Sequence, residues 1–135
     1  MTPTTAPTVK PATVANFHQL VLTGRTPVVV DFWAPWCVWC KKLAPIYAEV
    51  SGQMKDEMTF VTVNVDEERD LAEKYGISSL PTLKFFCDGR EIGEMVGALA
   101  PDQLRAKFRE VIGMQKACLT TSTPLTKSEA RVPPA

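Results

Sequence analysis

The feature that most constrains this 135-residue chain is a pair of cysteines, Cys37 and Cys40, that closely follows a short apolar run at residues 28–33. The run, VVVDFW, consists mostly of β-branched and aromatic residues, which is typical of a central strand covered on both faces. Residues 37 to about 55 carry an apolar stripe with helical spacing. The sequence thus predicts a strand, a short loop and a helix whose first turn carries both cysteines.

The position of the two cysteines on this helix predicts thiol–disulfide chemistry. If the helix begins at about Cys37, its unpaired N–H groups and the positive end of its dipole stabilise a thiolate there. Cys40 lies one turn further along the same face, within reach of Cys37. One thiol would be activated as a nucleophile, and the other would be placed to resolve the mixed disulfide, as disulfide exchange requires.

Apolar periodicity and turn residues predict the remaining elements. We expect a helix at residues 14–23 with Thr13 as its N-cap, the cysteine-bearing helix at 37–55 with Pro45 inside it, a strand at 59–65, a helix at 67–75 capped by Asp66, strands at 82–87 and 91–96 joined by an Asp88-Gly89 turn, and a helix from Pro101 to about Gly113. Residues 8–10 are an optional edge strand.

This order of elements predicts an α/β fold. A helix between two strands implies a right-handed crossover that joins parallel strands, and the closing hairpin makes the sheet mixed. Helices can then cover both faces of the sheet. The cysteines would lie at the carboxyl end of a central strand, which is the usual position of an α/β active site.

Composition and charge argue against several classes of function. Fifteen acidic residues balance fifteen basic ones, so no overall field attracts nucleic acid or an anionic membrane. No apolar stretch is long enough to span a bilayer. The N-terminal residues lack a basic segment followed by an apolar one, so no signal peptide is expected. With four cysteines and no export signal, we expect a reducing cytoplasm, in which a cysteine pair is catalytic or metal-binding.

Several motifs fall in the order in which the thioredoxin family has them. They are VDFWA-x-WC-x-x-C-K, the helix proline Pro45, VNVDEE followed by YGISSLPTL, the DG hairpin, and VGAL before the last helix. The sequence resembles this family over residues 14–113. The resemblance implies the thioredoxin fold, with a central mixed sheet of four to five strands flanked by helices on both faces. We expect a thioredoxin domain at residues 13–115, between a flexible arm at 1–12 and a disordered tail at 116–135.

The resemblance also implies a function and its partners. It implies a redox-active dithiol that reduces disulfides of protein substrates, with no cofactor, in a monomer. A thioredoxin reductase, or glutathione with glutaredoxin, would supply the electrons. An oxidase or isomerase direction stays open.

Roles for individual residues follow from the resemblance as well. Cys37 matches the nucleophile that forms a mixed disulfide, and Cys40 the resolving thiol. Asp31 matches the buried acid beneath the resolving cysteine; burial should raise its pKa, which suits a proton acceptor. The alternative for Asp31 is a strand-end residue bonded to backbone. Pro81 matches the cis-proline that faces the cysteines. The residues that match the substrate-docking surface are Trp33, Trp36, Leu80, Gly97 and Ala98, although Trp33 could also serve core packing.

The chain departs from the family pattern at two positions. Between the cysteines it has Val38-Trp39 where thioredoxins usually have Gly-Pro, which removes a φ constraint from the first helical turn. In the family this dipeptide tunes the reduction potential. Trp39 would either restrict docking partners or widen apolar contact with them, unless it is a tolerated exposed side chain. Thr62 stands where many thioredoxins have a lysine, so Asp31 lacks a charged partner.

Two other functions remain open at this point. Two thiolates per chain could bind zinc or a [2Fe–2S] cluster in a dimer. A redox-inert binding scaffold is the third option, which the intact cysteine pair disfavours. No role is assigned to Cys87 and Cys118, although a regulatory or intermolecular disulfide through Cys118 stays open.

Overall fold

The apolar run at residues 28–33 forms the central strand of a five-stranded sheet. The computed structural model of the chain describes residues 8–23, 26–97 and 100–114. In chain order, the elements are β1 (Val9–Pro11), a short π-helical turn (His18–Leu22), β2 (Val28–Trp33), α1 (Val38–Met54), β3 (Thr59–Asn64), α2 (Arg69–Lys74), β4 (Thr82–Cys87), β5 (Arg90–Val96) and α3 (Pro101–Gly113).

The strands lie in the order β1-β3-β2-β4-β5. β1 and β2 both run parallel to β3, whereas β4 is antiparallel to β2 and β5 is antiparallel to β4. The predicted mixed sheet and its thioredoxin topology are therefore confirmed. The optional edge strand is present as β1, so the last residues of the segment predicted as a flexible arm belong to the sheet.

Helices cover both faces of the sheet, as predicted. On one face, side chains of α1 and α3 pack against β2 and β4 in a cluster that includes Leu43, Tyr47, Phe108, Val29 and Phe85. The Tyr47 hydroxyl lies 3.0 Å from the carbonyl oxygen of Val29 and 2.8 Å from that of Val61, to which it donates. The second face carries the π-helical turn and α2, and the side chains buried there include Val21, Leu71 and Phe17, which precedes the turn.

The helix predicted at residues 14–23 is wrong in its extent and in its cap. Only His18–Leu22 forms a regular helical element, and residues 14–16 form a turn. Asn16 closes this turn, because its Oδ1 accepts a hydrogen bond of 2.7 Å from the Thr13 N–H. The Val14 N–H donates to the Glu68 carboxylate instead, and its side chain is exposed. Gly24, the predicted end of this helix, lies outside the described residues.

The helix predicted at residues 67–75 is shorter, and Asp66 does not cap it. α2 begins after Glu68, which forms no side-chain cap hydrogen bond. Asn64 Oδ1 accepts hydrogen bonds from the N–H groups of Asp66 at 2.9 Å and Glu67 at 3.4 Å, so the preceding residues form an Asx-type turn. The Asp66 carboxylate binds the Trp36 indole N–H instead.

The closing hairpin and last helix follow the prediction. Asp88 has φ +54° and Gly89 φ +80°, the two positive values that a tight two-residue hairpin turn requires. A Cβ at Gly89 would lie 2.9 Å from the Leu22 carbonyl oxygen, so only glycine fits where the turn meets the π-helical turn. α3 begins at Pro101, a favoured first-turn proline.

The tail at 116–135, with Cys118, and most of the arm lie outside the described residues, so the predictions made for them stay predictions. In the part of the chain that the structure describes, no helix is long and apolar enough to cross a membrane.

Candidate active site

Cys37 and Cys40 form a disulfide at the N-terminus of α1, with their Cα atoms 5.2 Å apart. Cys37 is the N-cap residue, with extended backbone angles, and the helix begins at the next residue. Its sulfur accepts a hydrogen bond of 3.1 Å from the backbone N–H of Cys40. The predicted placement of the first cysteine at the helix N-terminus is therefore confirmed.

This geometry favours a thiolate at Cys37 once the disulfide is reduced. An N–H group that points at sulfur stabilises the charged form more than the neutral one, and the positive end of the helix dipole adds to the effect. Both cysteines are largely buried, with Cys40 the deeper of the two. The site can thus form, hold and open a disulfide between these two sulfurs.

Asp31 lies in the middle of β2, 1% exposed. Burial raises its pKa from 3.8 to about 7. Its Oδ1 accepts no hydrogen bond from the described residues, which disfavours the alternative of a carboxylate satisfied by backbone N–H groups. Near neutral pH, the protonated and ionised forms of Asp31 are therefore populated to a similar extent.

The surroundings of Asp31 carry no compensating cation among the described residues. Thr62 lies opposite it in β3 and is buried, so the position where many thioredoxins have a lysine presents a hydroxyl. Burial raises the pKa of Tyr47 well above its usual value, and the charge of Asp31 raises it further. Tyr47 is thus a neutral hydroxyl and places no second negative charge beside Asp31.

The loop before β4 brings a second part of the predicted site to the cysteines. The peptide bond between Leu80 and Pro81 is cis, in agreement with the resemblance. Leu80 and Trp33 both pack against a small cluster formed by Ala34, Cys37 and Cys40. Trp33 is half-buried, so part of its side chain packs in the interior and part remains on the surface. The Gly97 N–H donates to the Pro81 carbonyl at 3.0 Å, but Ala98 lies outside the described residues.

Large exposed apolar side chains lie around this site and form what we call the apolar rim. Its members are Trp36 (65% exposed), Val38 (59%), Trp39 (54%) and Val96 (53%). Trp36 is held by its indole N–H, which lies 3.0 and 3.2 Å from the two carboxylate oxygens of Asp66. The Lys42 ammonium lies over the Trp39 ring, 4.8 Å from the ring centroid.

Sequence reasoning missed three of these neighbours. Val96 lies next to the cis-proline loop because it pairs with Thr82, the residue after Pro81, and only the register between β4 and β5 reveals this. Asp66 was assigned to a helix cap. Lys42 could have been found from its helical spacing of three from Trp39.

Comparisons with known proteins agree with the fold and the site. A family model described as Thioredoxin matches residues 8–110. Thioredoxin 1 of Synechococcus elongatus is 47% identical over 87 residues, which are 64% of this chain and 81% of the relative. The thioredoxin of Pseudomonas aeruginosa is 43% identical over 94 residues, 70% and 87% of the two chains. The crystal structure of Malassezia sympodialis thioredoxin superposes with a TM-score of 0.71 at 33% identity, covering 77% of this chain and 90% of the other.

The chain belongs to the thioredoxin family. With the disulfide at the start of α1, it is a thiol–disulfide oxidoreductase. The alternative of a metal- or cluster-binding module is not favoured, because the matching relatives are thioredoxins and Cys37 and Cys40 form a redox-type pair. Within the described ranges, no group of three or more His, Cys, Asp or Glu side chains could hold a metal ion.

Proposed function

We propose that this protein reduces disulfides of protein substrates by dithiol exchange, with Cys37 as nucleophile and Cys40 as resolving thiol. One observation supports this division of roles above the others. The Cys37 sulfur occupies the N-cap position and accepts the Cys40 N–H, so the activated thiolate belongs at Cys37.

The reaction has two exchange steps. The Cys37 thiolate attacks one sulfur of the substrate disulfide, which forms a mixed disulfide and releases one substrate thiolate. Cys40 then gives its proton to Asp31 and attacks the Cys37 sulfur. This expels the second substrate thiolate and leaves the Cys37–Cys40 disulfide. The pKa of Asp31, about 7, suits a group that accepts this proton near neutral pH.

The docking surface that we propose consists of the apolar rim and the cis-proline loop. Trp33, Trp36, Trp39, Leu80 and Gly97 contribute contacts, and the resemblance adds Ala98. The Leu80 backbone, next to Pro81, is placed to pair with an extended substrate segment, as in strand addition. Apolar side chains exposed to this extent support the contact, since binding removes them from water.

We also propose the cellular setting that the family resemblance implies. The protein would act as a cytoplasmic monomer in electron transport to protein disulfides and in redox homeostasis. A thioredoxin reductase, or glutathione with glutaredoxin, would return the disulfide to the dithiol. The thioredoxins of bacteria among its relatives support this setting.

A trapping experiment tests the assignment of the two cysteines. Cys40→Ser should accumulate a one-to-one covalent adduct with a disulfide-containing protein, because the resolving step is lost. Cys37→Ser should form no such adduct and should lose reductase activity by at least about a hundredfold. Mass spectrometry under non-reducing conditions, before and after dithiothreitol, measures both. An adduct through Cys40 in the Cys37→Ser variant, at the same rate, would reverse the assignment.

A further inference from the structure

Trp39 and Lys42 form a paired unit beside the reactive disulfide. Both lie on the first turns of α1, three residues apart and hence on one face. The Lys42 ammonium lies 4.8 Å from the centroid of the Trp39 ring, within the range of a cation–π contact. The Trp39 ring remains half exposed, so the unit offers an apolar surface and a cation together.

The charges around the disulfide differ between its two sides. The beginning of α1 carries Lys41 and Lys42, both exposed, and its first turn holds no acidic residue. On the side of Trp36, the exposed turn after β3 presents the Asp66 carboxylate, which the Trp36 indole N–H binds. A substrate segment that crosses the disulfide therefore meets cations over α1 and a carboxylate over the turn.

We propose that the Trp39–Lys42 unit selects protein disulfides that carry a carboxylate side chain next to the attacked cysteine. This inference rests on the proposed function and names the substrate class of the same site. The Trp39 ring would cover the apolar part of the docked segment, and the Lys42 ammonium would pair with its carboxylate. Contact with the apolar rim removes water from this pair, so it is stronger than an ion pair in open solvent.

The paired arrangement also predicts that the two side chains act together. An isolated surface lysine is mobile, and an ion pair made with it loses conformational entropy. The Trp39 ring holds the Lys42 stem and ammonium in one place, so part of this entropy is already lost before the substrate docks. Removing Trp39 should therefore weaken the selection for carboxylates as well as the apolar contact.

The test uses three disulfide-linked peptides that differ only in Asp, Asn or Lys beside the attacked cysteine. The measured quantity is kcat/KM for the reduction of each peptide by the protein. It is divided by the rate at which dithiothreitol reduces the same peptide, which removes differences in peptide reactivity. We expect the wild type to prefer the Asp peptide over the Lys peptide about tenfold at low ionic strength, and less at high salt. Lys42→Gln should reduce this preference to within about twofold, and Lys42→Glu should reverse it.

Lys55→Gln is the matched control. Lys55 is exposed at the other end of α1, about 20 Å along the helix from Lys42, so its loss changes the net charge equally but should keep the preference. Trp39→Ala should slow all three peptides and weaken the preference. In the Trp39→Ala background, Lys42→Gln should have a smaller effect than in the wild type.

Two outcomes would overturn the inference and are distinguishable from failure of the proposed function. Equal kcat/KM for the Asp and Lys peptides would show that the unit selects no charge, although the protein reduces disulfides. The same change of preference in Lys42→Gln and Lys55→Gln would assign the effect to net charge. If the protein reduced none of the three peptides, the proposed function itself would fail.

Discussion

At the scale of single residues, Asp31 is the position where function and stability oppose each other. An acid whose folded pKa exceeds its unfolded pKa holds a proton in the folded state that the unfolded state releases. As far as Asp31 is concerned, the free energy of unfolding is therefore highest below pH 4. It falls as the pH rises from about 4 to about 7. At about 1.4 kcal/mol per pKa unit, the loss above pH 7 is on the order of 4 kcal/mol.

This reasoning predicts the behaviour of Asp31→Asn. In the oxidised protein, where Cys37 and Cys40 do not titrate, the variant should be more stable than the wild type at pH 8, by on the order of a few kcal/mol. The difference should shrink towards pH 4. Urea unfolding at several pH values measures it. A wild-type stability that rises from pH 4 to 8 relative to the variant would contradict the sign of the pKa shift.

Asp31→Asn should also change the reaction itself. Because asparagine cannot accept the Cys40 proton, the mixed disulfide formed through Cys37 should persist longer than in the wild type. The increase should be largest near pH 7, where the carboxylate form of Asp31 begins to dominate. Quenched-flow mass spectrometry of the mixed disulfide would follow this lifetime. An unchanged lifetime would remove Asp31 from the resolving step.

At the scale of elements, α1 positions the cysteines because its middle is fixed to the sheet. Tyr47, two turns beyond Cys40, is completely buried, and its hydroxyl donates to carbonyl oxygens in β2 and β3. These contacts join the helix to the strand that carries Asp31. The distance between the cysteines and the acid thus depends on a side chain that has no chemical role in the exchange.

Tyr47→Phe isolates this contribution. The substitution keeps the ring and its packing against Phe60 but removes the buried hydroxyl, so it should lower the free energy of unfolding by about 1 kcal/mol. Adduct formation through Cys37 should continue at nearly the wild-type rate, since the hydroxyl touches neither sulfur. Thermal or urea unfolding measures the first effect. An unchanged stability would show that the hydroxyl does not hold α1.

At the scale of the whole molecule, the sequence predicts the elements with strong periodicity and misses those that depend on local side-chain contacts. The strand at 28–33, the cysteine helix and the Asp88-Gly89 hairpin all lie where apolar pattern and turn chemistry place them. The first helix is shorter than predicted: its regular part begins at His18, after a turn in which the Asn16 side chain accepts from the Thr13 N–H. Apolar periodicity does not show where such a turn gives way to a helix.

The candidate site shows the same division. Cys37 and Cys40 follow from spacing alone, whereas the resemblance supplied Asp31 and the cis-proline, and the structure agrees with both in burial and isomer. Val96 and the contact between Trp36 and Asp66 need the strand register and the loop path. They come from tertiary contacts between distant parts of the chain, for which a local pattern has no signal.

The most direct test of the central claim, a dithiol that reduces disulfides, is a redox titration in defined dithiol buffers, read by tryptophan fluorescence. Trp36 and Trp39 adjoin the two cysteines and should report their oxidation. We predict one two-electron transition near the value of about −270 mV characteristic of thioredoxin, absent in Cys40→Ser. A transition near −180 to −120 mV would indicate an isomerase or an oxidant, with Val38-Trp39 as the cause. No transition at all would contradict the assignment of Cys37 and Cys40 as a redox pair.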